Sequence, residues 1–169
     1  MMQMHMNTLH LLVSFVHISI LVSCMLIIDG HNLIGACYDI KLSDKNAKDK
    51  LITKLKEFQH INNNKIILVF DGKGFGEFEV SHEDKIEIRY PTKNQTADDV
   101  IKNLIKKHVG DQSVKIVSSD NQIIKEAKYH KLTSIKSQDF LLEFNKRIIK
   151  SNQPQIDVDD WLNYYDNMK

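Results

Sequence analysis

The sequence predicts an α/β fold with three layers, in which a mostly parallel central sheet is flanked by helices. Three observations lead to this prediction. Short apolar runs typical of buried strands alternate with amphipathic helical segments, and the connections between them are short. A chain of 169 residues has room for one compact domain, and its 42% of hydrophobic residues can form a core.

The first third of the domain predicts a strand, a helix and a second strand. Residues 25–28 form a continuous apolar run, which is typical of a strand buried on both faces. A helix follows because apolar residues recur on one face over residues 47–58, and Ser43 or Asp44 is its predicted cap. Residues 66–70 are again continuously apolar and predict the second strand.

The middle of the chain predicts a half-exposed strand, a helix and another buried strand. Apolar and charged residues alternate over residues 86–90 until Pro91 stops the pattern. Thr96 is the predicted cap of the following helix. Residues 114–117 then predict a further strand of the sheet.

The last third predicts a short helix over residues 123–127, a fifth strand over residues 132–135 and a helix capped by Ser137. Strands that alternate with helices through short connections favour parallel pairing. We therefore expect the folded domain to span residues 25–150, followed by an acidic and aromatic C-terminal tail at residues 151–169.

Residues 1–24 differ from the rest of the chain because they contain no Lys, Arg, Asp or Glu. Three interpretations stay open: a signal peptide that lacks the usual positive start, a membrane anchor, or an upstream start codon before a true start at Met25. A membrane span of ~20 residues would have to include residues 25–28, which the fold needs as a strand. We therefore expect membrane contact only if residues 1–24 are a genuine part of the protein.

Composition excludes several classes of protein. The chain has 23 Lys and Arg against 22 Asp and Glu, so its net charge is only +1, and bulk charge alone does not hold it to nucleic acid. Two cysteines are too few for a disulfide framework and lack the paired spacing of a zinc site. This cysteine usage indicates a reducing compartment, and we expect a cytoplasmic protein.

Acidic residues stand where several predicted strands end. Asp29, Asp71 and Asp120 follow buried strands, and Asp98 and Asp99 lie in the first turn of a predicted helix. Because the carboxyl ends of parallel strands meet at one edge of a sheet, we expect these carboxylates to gather there. Each raises the pKa of its neighbours, and a hard cation such as Mg²⁺ or Mn²⁺ relieves that repulsion.

Each acid also has a purely structural interpretation. Asp98 and Asp99 could satisfy a helix dipole, Asp120 could cap the next helix, and Asp29 and Asp71 could be turn residues before glycine. The convergence of these acids on one edge favours the metal site, since capping alone does not require several strands to place their acids at the same edge.

The same segments resemble the YacP-like NYN family, small bacterial proteins with a PIN-like nuclease fold. The resemblance rests on residues 26–35 (LIIDGHNLIG), 69–72 (VFDG), 92–99 (TKNQTADD) and 118–120 (SSD), in that order. It implies a metal-dependent endoribonuclease that uses Mg²⁺ or Mn²⁺ and no small-molecule cofactor. The implied partner is RNA, single-stranded or messenger, and some relatives act on messenger RNA at the ribosome.

Position by position, the resemblance implies catalytic, metal-binding acids at Asp29, Asp98 and Asp120. We expect Asp99 and Asp71 to support the metal. Substrate contacts are expected from five further residues near this edge: Asn32, His31, Ser119, Lys73 and Lys93.

Two other classes of function stay open. A non-catalytic RNA- or ribosome-binding adaptor would keep the fold and bind RNA equally well with or without metal. A membrane-tethered or lipidated protein would use residues 1–24, with Cys24 as the lipidation site.

Overall fold

A computed structural model of the protein describes residues 24–72, 78–81, 85–92 and 94–152. It confirms the predicted α/β class. The strands are β1 Met25–Asp29, β2 Lys65–Val69, β3 Phe78–Ser81, β4 Ile86–Arg89, β5 Val114–Val117 and β6 Thr133–Ile135. The helices are α1 Gly30–Ala36, α2 Ala47–Asn62, α3 Ala97–Lys107, α4 Asn121–Tyr129 and α5 Ser137–Asn152.

The described strands form one sheet in the order β3-β4-β2-β1-β5-β6. β3 runs antiparallel to β4, and the other pairs are parallel. The register places Asp29 of β1 beside Val69 of β2, and Val69 beside Arg89 of β4. On the other side of β1, Ile28 pairs with Val117 of β5. The strands therefore end side by side, which brings the residues that follow them to one edge.

The core lies on both faces of the sheet, as a three-layer fold requires. Leu26 and Ile28 of β1 belong to a buried cluster with α1, α2 and α5, whereas Ile27 belongs to a second cluster with α3 and α4. This alternation follows from the two-residue period of a strand. Phe58 of α2 stacks on Phe144 of α5 with ring centroids 5.3 Å apart, which joins these helices on the first face.

Two of these elements are not predicted from the sequence. α1 has only seven residues, including Gly30 and Gly35, so it carries too little apolar periodicity to be recognised. β3 has four residues and is held by antiparallel pairing with β4, which local sequence does not reveal. The described sheet therefore contains β3 in addition to the five predicted strands, and β4 lies between β3 and β2.

Two predicted caps are also wrong. The cap position of α2 is Asn46, whose side chain makes no capping hydrogen bond, and Ser43 and Asp44 lie before it. The Asp44 carboxylate instead accepts the Asn46 N–H at 2.9 Å, which forms a turn ahead of the helix. Ser137 is the first residue of α5 and not its cap.

Several predictions concern residues outside the described ranges. They include the apolar segment up to residue 23, the tail from residue 153, and the two lysines Lys73 and Lys93. Cys24 is described; it is buried, and its N–H donates to the Asn64 side chain at 2.9 Å. In the part of the chain that the structure describes, no helix has the length and apolar character needed to cross a membrane.

Candidate acidic site at the carboxyl edge of the sheet

Asp29 is the most firmly held acid at this edge. It caps α1 and is 5% exposed. Its carboxylate accepts the Asn32 N–H at 3.0 Å, the Asn32 side-chain amide at 2.5 Å and the Ser118 hydroxyl at 3.2 Å. Because three donors satisfy this buried carboxylate, its position is set by β1, α1 and β5 together.

Ser118 links Asp29 to the next acid along the edge. Its hydroxyl donates to Asp29 and accepts the Asp120 N–H at 3.1 Å. Asp120 caps α4, where its carboxylate accepts the N–H groups of Gln122 at 2.6 Å and Ile123 at 3.1 Å. Ser118 therefore links the residues that end β1 and follow β5.

Asp98 lies in the first turn of α3, where the negative charges of the other acids act on its carboxyl group. Burial, then the neighbouring Asp120, raises the pKa of the Asp98 carboxyl, while Lys102 opposes the shift. Asp29 and Asp71 raise this pKa further. The surroundings of Asp98 therefore disfavour its negative charge.

Asp99 serves the helix that carries it. Its carboxylate accepts the Thr96 N–H and hydroxyl, each at 3.0 Å, and the Thr96 hydroxyl accepts the Asp99 N–H at 3.2 Å. These bonds form a capping box at the start of α3. Hydrogen bonds from Thr96 lower the pKa of the Asp99 carboxyl. The Asp99 carboxylate thus caps α3. Metal support by Asp99 stays a prediction.

Asp71 connects the end of β2 to α3 and α1. Its carboxylate accepts the Ala97 N–H at 3.1 Å, and its own N–H donates to Nδ1 of His31 at 3.2 Å. Since Nδ1 accepts this bond, the proton of a neutral His31 lies on Nε2, and the 3.9 Å approach of Nδ1 to the Asp71 carboxylate is not an ion pair. The His31 ring also packs edge-on against Phe70. His31 is therefore held as a donor at this edge.

Ser119 lies beside the acids but contacts α5. Its hydroxyl donates to the Gln138 side chain at 2.8 Å and accepts the Ser137 N–H at 3.2 Å. Ser118, which the sequence analysis does not single out, makes the contact to Asp29 instead. The sequence signals for Ser118 are its place at the end of a buried strand, two residues before an acid, and its membership of the segment 118–120.

The donor set fits a hard cation by its chemistry. Carboxylate, amide and hydroxyl oxygens from Asp29, Asp98, Asp120, Asn32 and Ser118 are the ligand types that Mg²⁺ and Mn²⁺ prefer. Among the described residues, however, no three His, Cys, Asp or Glu side chains are arranged to hold one ion. The carboxylates of Asp29 and Asp120 each accept helix N–H groups as well.

Ser118→Ala tests the link between Asp29 and Asp120. The substitution removes one donor to a buried carboxylate and one acceptor for a backbone N–H. We expect the free energy of unfolding to fall by about 1–2 kcal/mol, measured by chemical denaturation. Ser113→Ala is the control, since it removes an exposed hydroxyl bond to Asp111 and should change stability by less than about 0.5 kcal/mol. Equal losses in the two variants would contradict the linking role.

The fold and this edge define a class: α/β domains that carry their functional groups at the carboxyl ends of parallel strands. The chain belongs to the YacP-like NYN domain family, whose model matches residues 26–162. That match begins in β1 and extends beyond the end of α5.

Two further similarities agree with this family. Over 87 residues the chain is 36% identical to the uncharacterized protein YacP of Bacillus subtilis (strain 168), and this stretch covers 47% of the chain and half of that relative. The crystal structure of Rae1 (YacP) from Bacillus subtilis matches with a TM-score of 0.61 and 26% identity, covering 75% of this chain and 76% of that chain. A variant of Rae1 gives the same TM-score and identity.

Proposed function

We propose that this protein is a metal-dependent endoribonuclease that hydrolyses phosphodiester bonds of RNA at the acidic edge. One observation carries the proposal: the Asp98 carboxyl lies in the combined field of Asp120, Asp29 and Asp71. This negative charge, which Lys102 offsets only in part, attracts a divalent cation. Membership of the NYN family, whose members are typically nucleases, supports the same reaction.

Asp29, Asp98 and Asp120 are the residues proposed to hold Mg²⁺ or Mn²⁺. Mg²⁺ usually keeps several waters and binds through one or two carboxylates plus substrate phosphate, so a preformed cage of three side chains is not required. When bound, the ion neutralises charge on a phosphate and makes a water more acidic. Asn32 and Ser118 keep the Asp29 carboxylate in place for this role.

Asp71 and Asp99 stay proposed supports of the metal, and the predicted substrate contacts are proposed to position RNA. His31, held through Nδ1, offers its Nε2–H as a donor to a phosphate oxygen. Ser119, Lys73 and Lys93 stay proposed substrate contacts. The proposed substrate is single-stranded or messenger RNA, with the ribosome as a proposed place of encounter and the cytoplasm as the proposed location.

One observation favours the alternative of a non-catalytic RNA-binding adaptor. Within the described residues, the side chains that could hold an ion are not already arranged around one position. An adaptor would bind RNA equally well with and without Mn²⁺ and would leave the RNA intact. A cleavage assay on the full-length chain, with labelled single-stranded RNA in Mn²⁺ or in EDTA, separates the two functions.

Metal binding itself has a readout that does not depend on cleavage. We expect Mn²⁺ to raise the Tm of the wild-type protein, because an ion that binds only the folded state at 100 times its Kd stabilises it by about 2.7 kcal/mol. Asp98→Asn should reduce this rise. Asp111→Asn is the matched control, since Asp111 precedes β5 at the opposite edge of the sheet and accepts hydrogen bonds from Ser113. A rise of equal size in all three proteins would remove Asp98 from the proposed centre.

A further inference from the structure

Lys48 of α2 lies at the same edge of the sheet as the acids. It belongs to the first turn of α2, and its ammonium donates to the Asp71 carbonyl oxygen at 3.3 Å. The ammonium also lies over the ring of Phe70, which is part of the core on the face of α1, α2 and α5. α3, which carries Asp98, packs on the opposite face. Lys48 therefore reaches the end of β2 from the face away from α3.

Two aromatic rings hold the Lys48 ammonium in place. It lies 5.0 Å from the centre of the Phe70 ring and 4.8 Å from the centre of the Tyr90 ring. These rings stack on one another with centroids 6.2 Å apart, and Phe70 is fully buried. The face of an aromatic ring attracts a cation through its quadrupole but carries no net charge. The rings therefore fix the position of the ammonium without neutralising it.

Two other lysines of α2 are paired with acids, whereas Lys48 is not. Lys50 approaches the Asp44 carboxylate at 2.5 Å, and Lys54 approaches the Asp39 carboxylate at 2.8 Å. Within the described part of the chain, Lys48 makes no ion pair. Its side chain is only half-buried. The positive charge of Lys48 is therefore available to an anion that approaches this edge from solvent.

His31 places a second donor beside Lys48. Nδ1 of His31 accepts the Asp71 N–H at 3.2 Å, so the Nε2–H of the neutral ring is left to donate elsewhere, and the His31 side chain is 37% exposed. An ammonium has three N–H donors, and the Asp71 carbonyl accepts one from Lys48. Both side chains are thus anchored on the main chain of Asp71, and both keep donors for a ligand.

A cation beside a neutral donor suits the phosphate of a nucleic acid. Phosphate oxygens carry negative charge and accept hydrogen bonds from lysine and from neutral N–H groups alike. The acids Asp29, Asp71 and Asp98 would repel such a ligand. Lys48 offsets part of this repulsion on the α2 side of the edge, where its position is already fixed by the rings.

We propose that Lys48 and His31 bind an RNA phosphate next to the cleaved bond, on the α2 side of the acidic edge. This inference rests on the proposed function for its ligand. The cleaved phosphate itself is left to the ion proposed at Asp29, Asp98 and Asp120. The bound strand therefore crosses the edge between the α2 face and the α3 face, and Lys48 fixes one end of this path.

Charge removal on α2 provides the first test. Lys48→Gln and Lys50→Gln change the net charge equally, but Lys50 is paired with Asp44. Binding of a labelled single-stranded RNA is measured by fluorescence anisotropy in EDTA over a series of salt concentrations. We expect Lys48→Gln to weaken binding at least about threefold and to reduce the salt slope by about 0.7, the value for one phosphate contact on a single strand. Lys50→Gln should keep the wild-type slope. Equal slopes in the two variants would overturn the site.

A purely structural role of Lys48 gives a different result. Loss of its contacts with Asp71 and the rings would lower the Tm of Lys48→Gln and leave the salt slope unchanged, and this outcome would overturn the site. Lys48→Arg keeps the charge, the donors and the attraction to the rings. We expect it to restore binding to within about twofold of wild type. If Lys48→Gln does not fold, Lys48→Met replaces it, because its apolar stem can still cover the rings.

Removal of single phosphate charges provides the second test. Short RNAs with one neutral methylphosphonate, placed at each linkage in turn, are bound to wild type and to Lys48→Gln. A deoxyribose before the linkage keeps it stable and is also present in the unmodified control RNA. At one linkage we expect the methylphosphonate to weaken binding to wild type roughly threefold to tenfold, and to have little further effect in Lys48→Gln. Additive effects at every linkage would overturn the phosphate site.

These assays separate this inference from the proposed activity. If Lys48→Gln has the expected effects on binding but wild type does not cut RNA in Mn²⁺, the phosphate site stands and the endoribonuclease proposal fails. If wild type cuts RNA and Lys48→Gln binds it as Lys50→Gln does, the activity stands and the phosphate site fails. Absence of RNA binding by wild type in EDTA overturns the phosphate site.

Discussion

Asp98→Asn should reduce the rate of RNA cleavage in Mn²⁺ at least 100-fold, while the protein keeps its fold. The substitution preserves shape but removes the charge that Asp120, Asp29 and Asp71 oppose. Stabilisation of transition-state charge by a bound ion contributes several kcal/mol, and each 1.36 kcal/mol corresponds to about tenfold in rate. The measurement is the initial rate of cleavage of a labelled single-stranded RNA by the full-length chain.

Asp111→Asn is the matched control for this experiment. Asp111 precedes β5, at the opposite end of the strands from the acids, and its carboxylate accepts the N–H and the hydroxyl of Ser113 at 2.9 and 2.7 Å. Asparagine can still accept these bonds, so we expect a cleavage rate within about threefold of wild type and a change in stability of less than about 0.5 kcal/mol. Cleavage retained in Asp98→Asn, or lost equally in both variants, would contradict the proposed centre.

Asp98→Asn should also change the stability of the protein, by an amount that depends on pH. Because burial and the nearby Asp120 raise the pKa of Asp98 in the folded protein, the folded state binds this proton more tightly than the unfolded state. Wild-type stability therefore falls as pH rises from the ordinary value of about 3.9 through the raised folded pKa. Above that window Asp98→Asn should be more stable than wild type by a few tenths of a kcal/mol, the size of partly exposed charge interactions.

Gly30→Ala should lower the free energy of unfolding by about 2–4 kcal/mol, in the upper range for overpacking of a core. A Cβ atom at Gly30 would lie closer than 3.0 Å to two carbons of the Phe70 ring and 3.0 Å from the Val69 carbonyl oxygen. Phe70 is fully buried and stacks near Tyr90, so its ring has little room to move. Chemical denaturation measures the loss.

Gly35→Ala is the control within the same helix. A Cβ at Gly35 meets only the side chain of Leu42, at 3.7 Å, which is ordinary contact. Alanine there should stabilise the protein by roughly 0.5–1 kcal/mol, because glycine is disfavoured inside helices. If Gly30→Ala were as stable as Gly35→Ala, the close approach of α1 to Phe70 would be refuted.

The sequence predicts those parts of the fold whose signal is local. Continuous apolar runs predict the buried strands at residues 25–28, 66–70 and 114–117, and Thr96 predicts the start of α3. β3 depends on pairing with β4, and seven residues are too few to reveal α1 by periodicity. These elements exist because of tertiary contacts, which no local pattern records.

The candidate site, like the fold, is predicted from the sequence only in part. Parallel strands predict that the acids that follow them share an edge, and the effect of Asp120 on the pKa of Asp98 agrees with that. What each carboxylate does depends on side-chain orientation. Asp29 and Asp120 are caps as well as members of the edge, so the structural and functional interpretations are compatible for both. The role of Ser118 is not predicted from the sequence, because its contact with Asp29 requires β1 and β5 to be adjacent in the sheet.

The central place of β1 has a consequence for how the molecule comes apart. Among the described strands, β1 is paired on both sides, by β2 and β5, whereas β3 and β6 are each paired on one side. Opening of a native protein begins in its least supported segments. Fraying at the two margins would therefore leave Asp29 and its three donors intact, and the acidic edge would be among the last features lost as the native state melts.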